Sequence, residues 1–413
     1  MVVRDGIVKR GKKWSYVVRV KDLETGLSKP RWVGGFASET DAKAARDQAR
    51  VTARSGQYVN RSPVTVSSYL DQWIEAHAVQ IKPKTLQDYR HLIDRHVKPR
   101  VGGLRLQAVR PAQITKLYRD LLTEGGRGGA GLSPRTVEYV HAVLRKAFRD
   151  AVLVDQLLAS NPVERAKRPR NPARERGEIW TAGQLRVFLD VARRHRLFAF
   201  FHLAAYTGGR RGELLNLRWR DVDLAGAEIR ISGSAAVIGG TRIEGTTKSG
   251  RSRTVSIDAG TVQVLKEHRA RQAEERLTAG PAWIGGDDYV FTTGWGGPIH
   301  PDTVSSLIGD LIRAHNVTVG EYGAGELLPH ARLHDLRHIH ATTLLLAGVP
   351  VHVVAARLGH ADPSVTLRVY AHVIREQVAA AADIFARSIP AGEGPAVSKS
   401  VSKRALTERR KGL

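Results

Sequence analysis

Apolar positions recur along this chain with two periods, and the change between them marks its organisation. Near the N-terminus Trp14, Tyr16 and Val18 alternate with Ser15, Val17 and Arg19, a period of two that predicts a strand. Gly6–Lys9 and Arg31–Phe36 read as two more short strands, with turns at Gly11-Lys12-Lys13 and Glu24-Thr25-Gly26. A helix is expected from Glu39 to Ser55, with Ser38 as its N-cap. From Thr65 the spacing becomes helical. Val66, Tyr69, Leu70, Trp73 and Ile74 form one apolar stripe; Leu86, Tyr89, Leu92 and Ile93 follow Pro83, and Ile114, Leu117, Tyr118 and Leu121 follow Pro111. Ser133-Pro134 opens a fourth helix that runs to about Val152.

Beyond the basic, proline-broken stretch Arg165–Pro172, helices are expected from Thr181 to Ala192 and from Leu197 to Tyr206. A meander of three strands, Ala227–Ser232, Gly240–Thr246 and Thr254–Ile257, carries Lys248 in its last turn. Farther on, Leu336, Ile339, Thr343 and Leu346 step by three and four, and Gly348 and Pro350 stop that helix and start another. Gly359 ends the second helix and leaves His360 just past it; Asp362-Pro363 opens a third, which would carry Tyr370. The fold expected is multi-domain and mainly α. Residues 1–58 form a small three-stranded sheet plus helix, 62–165 an all-helical block, and 175–390 an α+β domain of mostly helices with a small antiparallel sheet, while 391–413 form a basic, flexible tail.

Composition narrows the function. Among 413 residues there are 65 Lys and Arg against 40 Asp and Glu, a net charge of +25 with a pI near 10.6, and no cysteine. The excess of cations suits a polyanion, while the absence of cysteine removes thiol catalysis, disulfides and cysteine-based zinc sites. No apolar run is long enough to span a membrane and no secretory signal is evident, so nucleic acid in the cytoplasm is expected rather than a membrane partner. Lys9, Arg10, Lys12, Lys13, Arg19 and Arg31 cluster on the N-terminal strands, as a β-ribbon reader of the major groove requires. Lys82, Lys84 and Arg135 are candidates for phosphate contacts from the helical block. Two phosphate-loop readings fail. No Lys-Ser/Thr follows the glycine run Gly125–Gly131, and Thr246 stands where the glycine spacing of Gly240 and Gly245 needs a lysine.

The chemistry-bearing residues are Arg210, Lys248, His334, Arg337, His360 and Tyr370. Two arginines grip a phosphodiester and neutralise a crowded pentavalent state. Two histidines bond its oxygens or move a proton, a lysine on a turn protonates a leaving oxygen, and a tyrosine attacks phosphorus. The set needs no cofactor, and no acidic cluster of the two-metal kind is present. His334, His338 and His340 lack the glutamate spacing of a zincin, so no metal site is expected.

Thr207–Leu214 reads as TG-x-R-x-x-E-L, His334–Arg337 as H-x-x-R, and Leu358-Gly359-His360 followed by Tyr370 as L-G-H…Y. In combination and order these resemble the tyrosine recombinase (phage integrase) family, of the type with an arm-binding domain found in temperate phages and integrative elements. The resemblance implies that Arg210 and Arg337 stabilise the transition state, that Lys248 is the general acid and that His334 accepts a proton. It further implies that His360 bonds a non-bridging oxygen, that Tyr370 forms a 3′-phosphotyrosyl intermediate, and that Glu213 orients an arginine. It also implies core- and arm-type attachment sites in double-stranded DNA, a homotetramer on synapsed DNA, and accessory partners such as an excisionase and a host DNA-bending protein. The alternatives are a type IB topoisomerase, which reseals the same strand, and a DNA-binding regulator with an inactive domain.

Overall fold

The computed structural model describes residues 5–21, 27–54, 59, 61–169, 180–247, 250–286, 288–323, 325–364 and 366–367. The chain divides into two compact units, Met1–Glu175 and Arg176–Leu413. Lys248, Tyr370 and the 391–413 tail lie outside the described residues.

The first unit opens with β1 (Ile7–Arg10), β2 (Lys13–Lys21) and β3 (Ser28–Phe36), an antiparallel sheet in the order β1-β2-β3, followed by α1 (Glu39–Arg54). Tyr16 and Val18 of β2 pack with Ile7 against Ala42 and Ala49 of α1, so period two buries one face. The pairings Arg10 with Lys13 and Val17 with Trp32 put Arg10, Lys13, Arg19 and Trp32 together on the other face. Lys9 and Arg31, opposite Trp14 and Val18, fall on the helix side. All six basic residues, with Lys12 in the first turn, are exposed. The guanidinium of Arg10 lies 5.0 Å over the Trp32 ring, a cation–π contact on the open face.

Five helices follow: α2 (Val66–Ala78), α3 (Pro83–Leu92), α4 (Lys98–Val101), α5 (Pro111–Glu124) and α6 (Pro134–Leu153). Thr65 and Ser133 cap α2 and α6 by accepting from Ser68 N and Thr136 N. Each predicted stripe reaches one core, in which Tyr69 Oη donates to Ala147 O at 2.9 Å and Trp73 Nε1 to Asp150 at 2.8 Å, fixing α2 on α6. Between α3 and α4 the chain widens into a π-turn, Ile93–Val97, which the spacing did not announce. Lys82 is the N-cap of α3, Lys84 pairs with Asp88 at 2.7 Å, and Arg135 lies 5.5 Å over Tyr139.

The second unit holds α7 (Ala182–Ala192), α8 (Phe198–Thr207), α9 (Arg211–Leu215), β4 (Val222–Asp223), β5 (Glu228–Ile231), β6 (Gly233–Ile238), β7 (Thr241–Thr246) and β8 (Arg253–Ser256). Helices α10 (Ala259–Ala279), α11 (Pro301–Tyr322), α12 (Leu333–Leu346) and α13 (Val351–Leu358) follow. Helix α8 is the centre: Phe198, Phe200, Phe201, Leu203 and Ala204 are all core residues. The expected three-strand meander is not what forms. Strand β5 pairs directly with β8 in a β4-β5-β8 sheet, and β7 pairs with the unpredicted β6 in a separate hairpin. Gly233, Ser234, Ala235 and Ala236 have little strand preference, so β6 exists through its partner and through a turn with positive φ at Gly239 (58°) and Gly240 (81°). The stripe expected on α12 also shifts: Thr343 and Leu346 are exposed. Ala341 and Leu345 replace them as the buried pair, because that end of α12 packs on Val354 and Leu358 of α13.

Candidate active site

The site is built where α13 ends. Gly359 takes the left-handed conformation (φ 68°). Its N–H bonds Ala356 O and the His360 N–H bonds Ala355 O, at 2.9 and 3.0 Å, the reciprocal pair of a Schellman cap. The next three carbonyls still need donors, and three arginines supply them. Arg253 Nε donates to Arg357 O at 3.0 Å, Arg337 Nη2 to Leu358 O at 2.8 Å, and Arg210 Nη2 to Gly359 O at 3.4 Å. The negative end of the helix thus gathers three guanidiniums. A side chain at 359 would not fit, since a Cβ there would sit 2.6 Å from Arg253 Nη1.

Each arginine is held from behind. Helix α8 ends at Gly208 in the left-handed conformation, and a Cβ there would meet Leu358 at 2.7 Å and His340 at 2.9 Å. That turn aims Gly208 O at Arg337 Nη1 (2.7 Å) and places Arg210 as the N-cap of α9. Glu213 on α9 accepts from Arg210 N at 3.0 Å, Arg210 Nη1 at 2.8 Å, Arg253 Nη1 at 3.1 Å and Arg253 Nη2 at 2.7 Å. Its side chain is 1% exposed. Burial alone would raise its pKa; the hydrogen bonds and charge of Arg253, then those of Arg210, outweigh burial and hold the carboxyl at about 2.

The histidines surround this cluster as neutral groups. His360 Nε2 lies 2.8 Å from Arg337 Nη2 and its Nδ1 lies 2.7 Å from Thr366 Oγ1. Burial, then the charges of Arg337, Arg210 and Arg253, bring its pKa down to about 4. His334, on the first turn of α12, is solvent-facing. Packing around the ring, then His338, Arg337 and Arg210, hold its pKa below the ordinary value, and it meets His338 edge-on at 5.0 Å. His340 is a structural residue. Its Nδ1 bonds Ala205 O at 2.9 Å and its Nε2 accepts from Arg357 Nε at 3.1 Å, so both nitrogens are taken. Burial, then Arg357, lowers its pKa to about 4.

The structure therefore brings Arg210, His334, Arg337 and His360 together, with Glu213 behind Arg210, while Lys248 and Tyr370 lie outside the described residues. Sequence reasoning missed Arg253, which bonds Glu213 and the α13 terminus, and Thr366, a fully buried hydroxyl on His360. Arg253 stands just before the stretch read as a strand, Thr254–Ile257, with Arg251 close by, so nothing in the sequence set it apart.

The profile of the phage integrase family matches residues 180–377, which span this whole cluster. Profiles of a phage integrase N-terminal SAM-like domain and of an arm DNA-binding domain match residues 65–122 and 6–51. The chain belongs to the phage integrase family. Among the relatives of this integrase-family chain is a "Tyrosine recombinase XerC-like" protein of Caldanaerobacter subterraneus, 29% identical over 91% of this chain and 97% of that one. The ICEBs1 integrase of Bacillus subtilis is 26% identical over 82% of this chain and 85% of its own length. Solved structures share the fold. The Tn1549 transposon integrase in complex with transposon right end DNA aligns with a TM-score of 0.67 at 20% identity, covering 78% of this chain and 100% of that one. A lambda integrase tetramer bound to a Holliday junction gives 0.53 at 19% identity, covering 87% and 96%.

Two predictions follow from the electrostatics. Glu213→Gln sets an amide donor against guanidinium donors in a buried site, so urea unfolding should show a loss of about 3 kcal/mol. A loss under about 0.5 kcal/mol would mean that the carboxylate does not hold Arg253. Stability should also fall on acidification. His340 and His360 stay neutral to about pH 4 when folded but bind protons from their ordinary 6.5 when unfolded. Their contribution is therefore complete above about pH 6.5 and declines toward pH 4, by up to about 1.4 kcal/mol per pH unit for each. Urea titrations at pH 7.5 and 5 should show a shallower decline in His340→Gln, and equal declines would refute the assignment.

Proposed function

We propose that this chain is a site-specific recombinase that cleaves DNA, joins it to Tyr370 through a 3′-phosphotyrosyl link, and passes the strand to a partner duplex to integrate or excise a phage or mobile element. The observation that carries the reading is the convergence of Arg210, Arg253 and Arg337 on the end of α13, with Glu213 sealed behind them. Such a site favours an anion with several oxygens, and a phosphodiester gains negative charge as it becomes pentavalent. Arg210 and Arg337 stabilise that charge. His334, neutral at pH 7 and solvent-facing, takes the tyrosyl proton. His360 bonds a non-bridging oxygen by donating from Nε2, which accepts from Arg337 in the free protein and takes up a proton as the phosphate binds. Lys248 protonates the 5′-oxygen as it leaves, and a 5′-hydroxyl from the partner duplex later reverses the attack. The ester bond is conserved throughout, so no ATP or other cofactor enters.

The division of work that fits this chemistry gives residues 1–58 the arm-type sites, 62–165 the core sites together with the catalytic domain 175–390, and 391–413 a basic tail. The arm and SAM-like profile matches support the first two assignments, as do the exposed cations of β1–β3. DNA-bound relatives, one of them a tetramer on a Holliday junction, support a homotetramer acting on two duplexes. An excisionase and a host bending protein are the natural accessory partners of an enzyme with two classes of DNA site. Among the described residues no helix is long and apolar enough to cross a membrane; the enzyme acts where its DNA is, in the cytoplasm at the nucleoid. The arm unit favours a recombinase over a topoisomerase, because a second DNA contact serves synapsis.

Incubation in EDTA with nicked duplexes tiled across the DNA flanking the gene should give an SDS-resistant protein–DNA adduct that disappears in Tyr370→Phe. Tight, specific binding without an adduct would favour a regulator with an inactive domain. Lys248→Ala should slow cleavage by a factor of about 100 or more, and a 5′-thio leaving group should restore the rate. An unrescued variant would remove Lys248 from the role of general acid.

A further inference from the structure

Thr366 is buried, 0% exposed, and lies four residues before Tyr370 in the sequence. Its hydroxyl is 2.7 Å from His360 Nδ1, and on the other side of the ring Nε2 is 2.8 Å from Arg337 Nη2. An arginine has only donors. Nε2 must therefore be the accepting nitrogen, and in the neutral ring the proton is on Nδ1, donated to Thr366 Oγ1. The two contacts define one tautomer and one ring orientation.

We propose that Thr366 is a positioning residue for the recombination reaction: it holds His360 with Nδ1–H on its hydroxyl, so that Nε2 accepts from Arg337 in the free protein and orients that guanidinium toward the scissile phosphate. This rests on the recombinase reading for its consequence and on the geometry alone for the tautomer. The hydroxyl links Thr366 itself, through His360, to Arg337 of the arginine cluster.

The test compares full-length wild type with Thr366→Val, Thr366→Ser, His360→Gln and the His360→Gln/Thr366→Val double variant. In free protein, the imidazole 15N shifts of His360, assigned by their loss in His360→Gln, should report Nδ1–H in wild type and Thr366→Ser and a mixture in Thr366→Val. In single-turnover adduct formation on the nicked duplexes, Thr366→Val should lose about tenfold, the worth of one hydrogen bond to a poised group. Thr366→Ser should stay within about threefold, and the double variant should be no slower than His360→Gln alone. A wild-type tautomer in Thr366→Val, or a full additional loss in the double variant, overturns the proposal. Absence of any wild-type adduct would sink the recombinase reading instead, and the 15N shifts would still decide the tautomer.

Discussion

Three consecutive backbone carbonyls hold this active site together. Every helix ends with carbonyls that lack partners, and most are satisfied by water or by a cap. At the end of α13 the Schellman turn uses the amides of Gly359 and His360 for the inner pair. The outer three carbonyls are left to side chains brought from three other elements: Arg210 before α9, Arg253 on β8 and Arg337 on α12. Helix α12 directly precedes α13, but Arg210 and Arg253 lie 149 and 104 positions from the carbonyls they reach. The helix terminus is thus the common address at which these parts of the chain are brought into register, and the proposed substrate site is what remains on the solvent side.

Gathering three guanidiniums is unfavourable unless part of the charge is cancelled from within. Glu213 does this for two of them, and its depth in the protein determines how. In water a carboxylate between two arginines contributes little; at 1% exposure it cannot be removed without leaving buried charge unpaired. The compensation is one-sided, because the carboxylate lies behind the guanidiniums and leaves their positive field facing outward. The histidines respond to that field. His360 is pressed to the neutral form by burial and by Arg337, Arg210 and Arg253, and so contributes a lone pair rather than another positive charge. The phosphodiester of the proposed reaction would supply the anion that balances this outward field.

How much of this could be read from the chain depended on the range of the interaction. Helix caps such as Thr65, Ser133 and Thr181 and the stripes they introduce are local, and the helices they predict form within a few residues of expectation. Gly359 was legible as a helix end, because a left-handed residue is a property of the backbone at one position. Strand β6 was not legible, since Gly233–Ala236 acquires its conformation from β7 across the hairpin. The lower half of α12 was misread because its partner changes from the main core to α13. Arg253 and Thr366 escaped for the same reason: a single polar residue among other polar residues carries no pattern, and its importance lies in contacts with Glu213, 40 positions away, or with a histidine across a turn.

The arginines serve the fold and the proposed chemistry at once. Arg337 spends Nη1 on Gly208 O and Nη2 on Leu358 O and His360, and Arg210 spends Nη1 on Glu213 and Nη2 on Gly359 O. On the proposed reading each is structural support and substrate ligand in one group, which the planar, five-donor guanidinium permits and a lysine ammonium does not. Removing either arginine would then delete a phosphate contact and untie the end of α13 together, so its effect would not divide between catalysis and folding. Residues that touch the arginines or His360 from behind are different. Glu213, Arg253 and Thr366 change how the site is held without being placed to touch the phosphate. Their substitution is therefore where the contribution of preorganisation can be separated from that of charge.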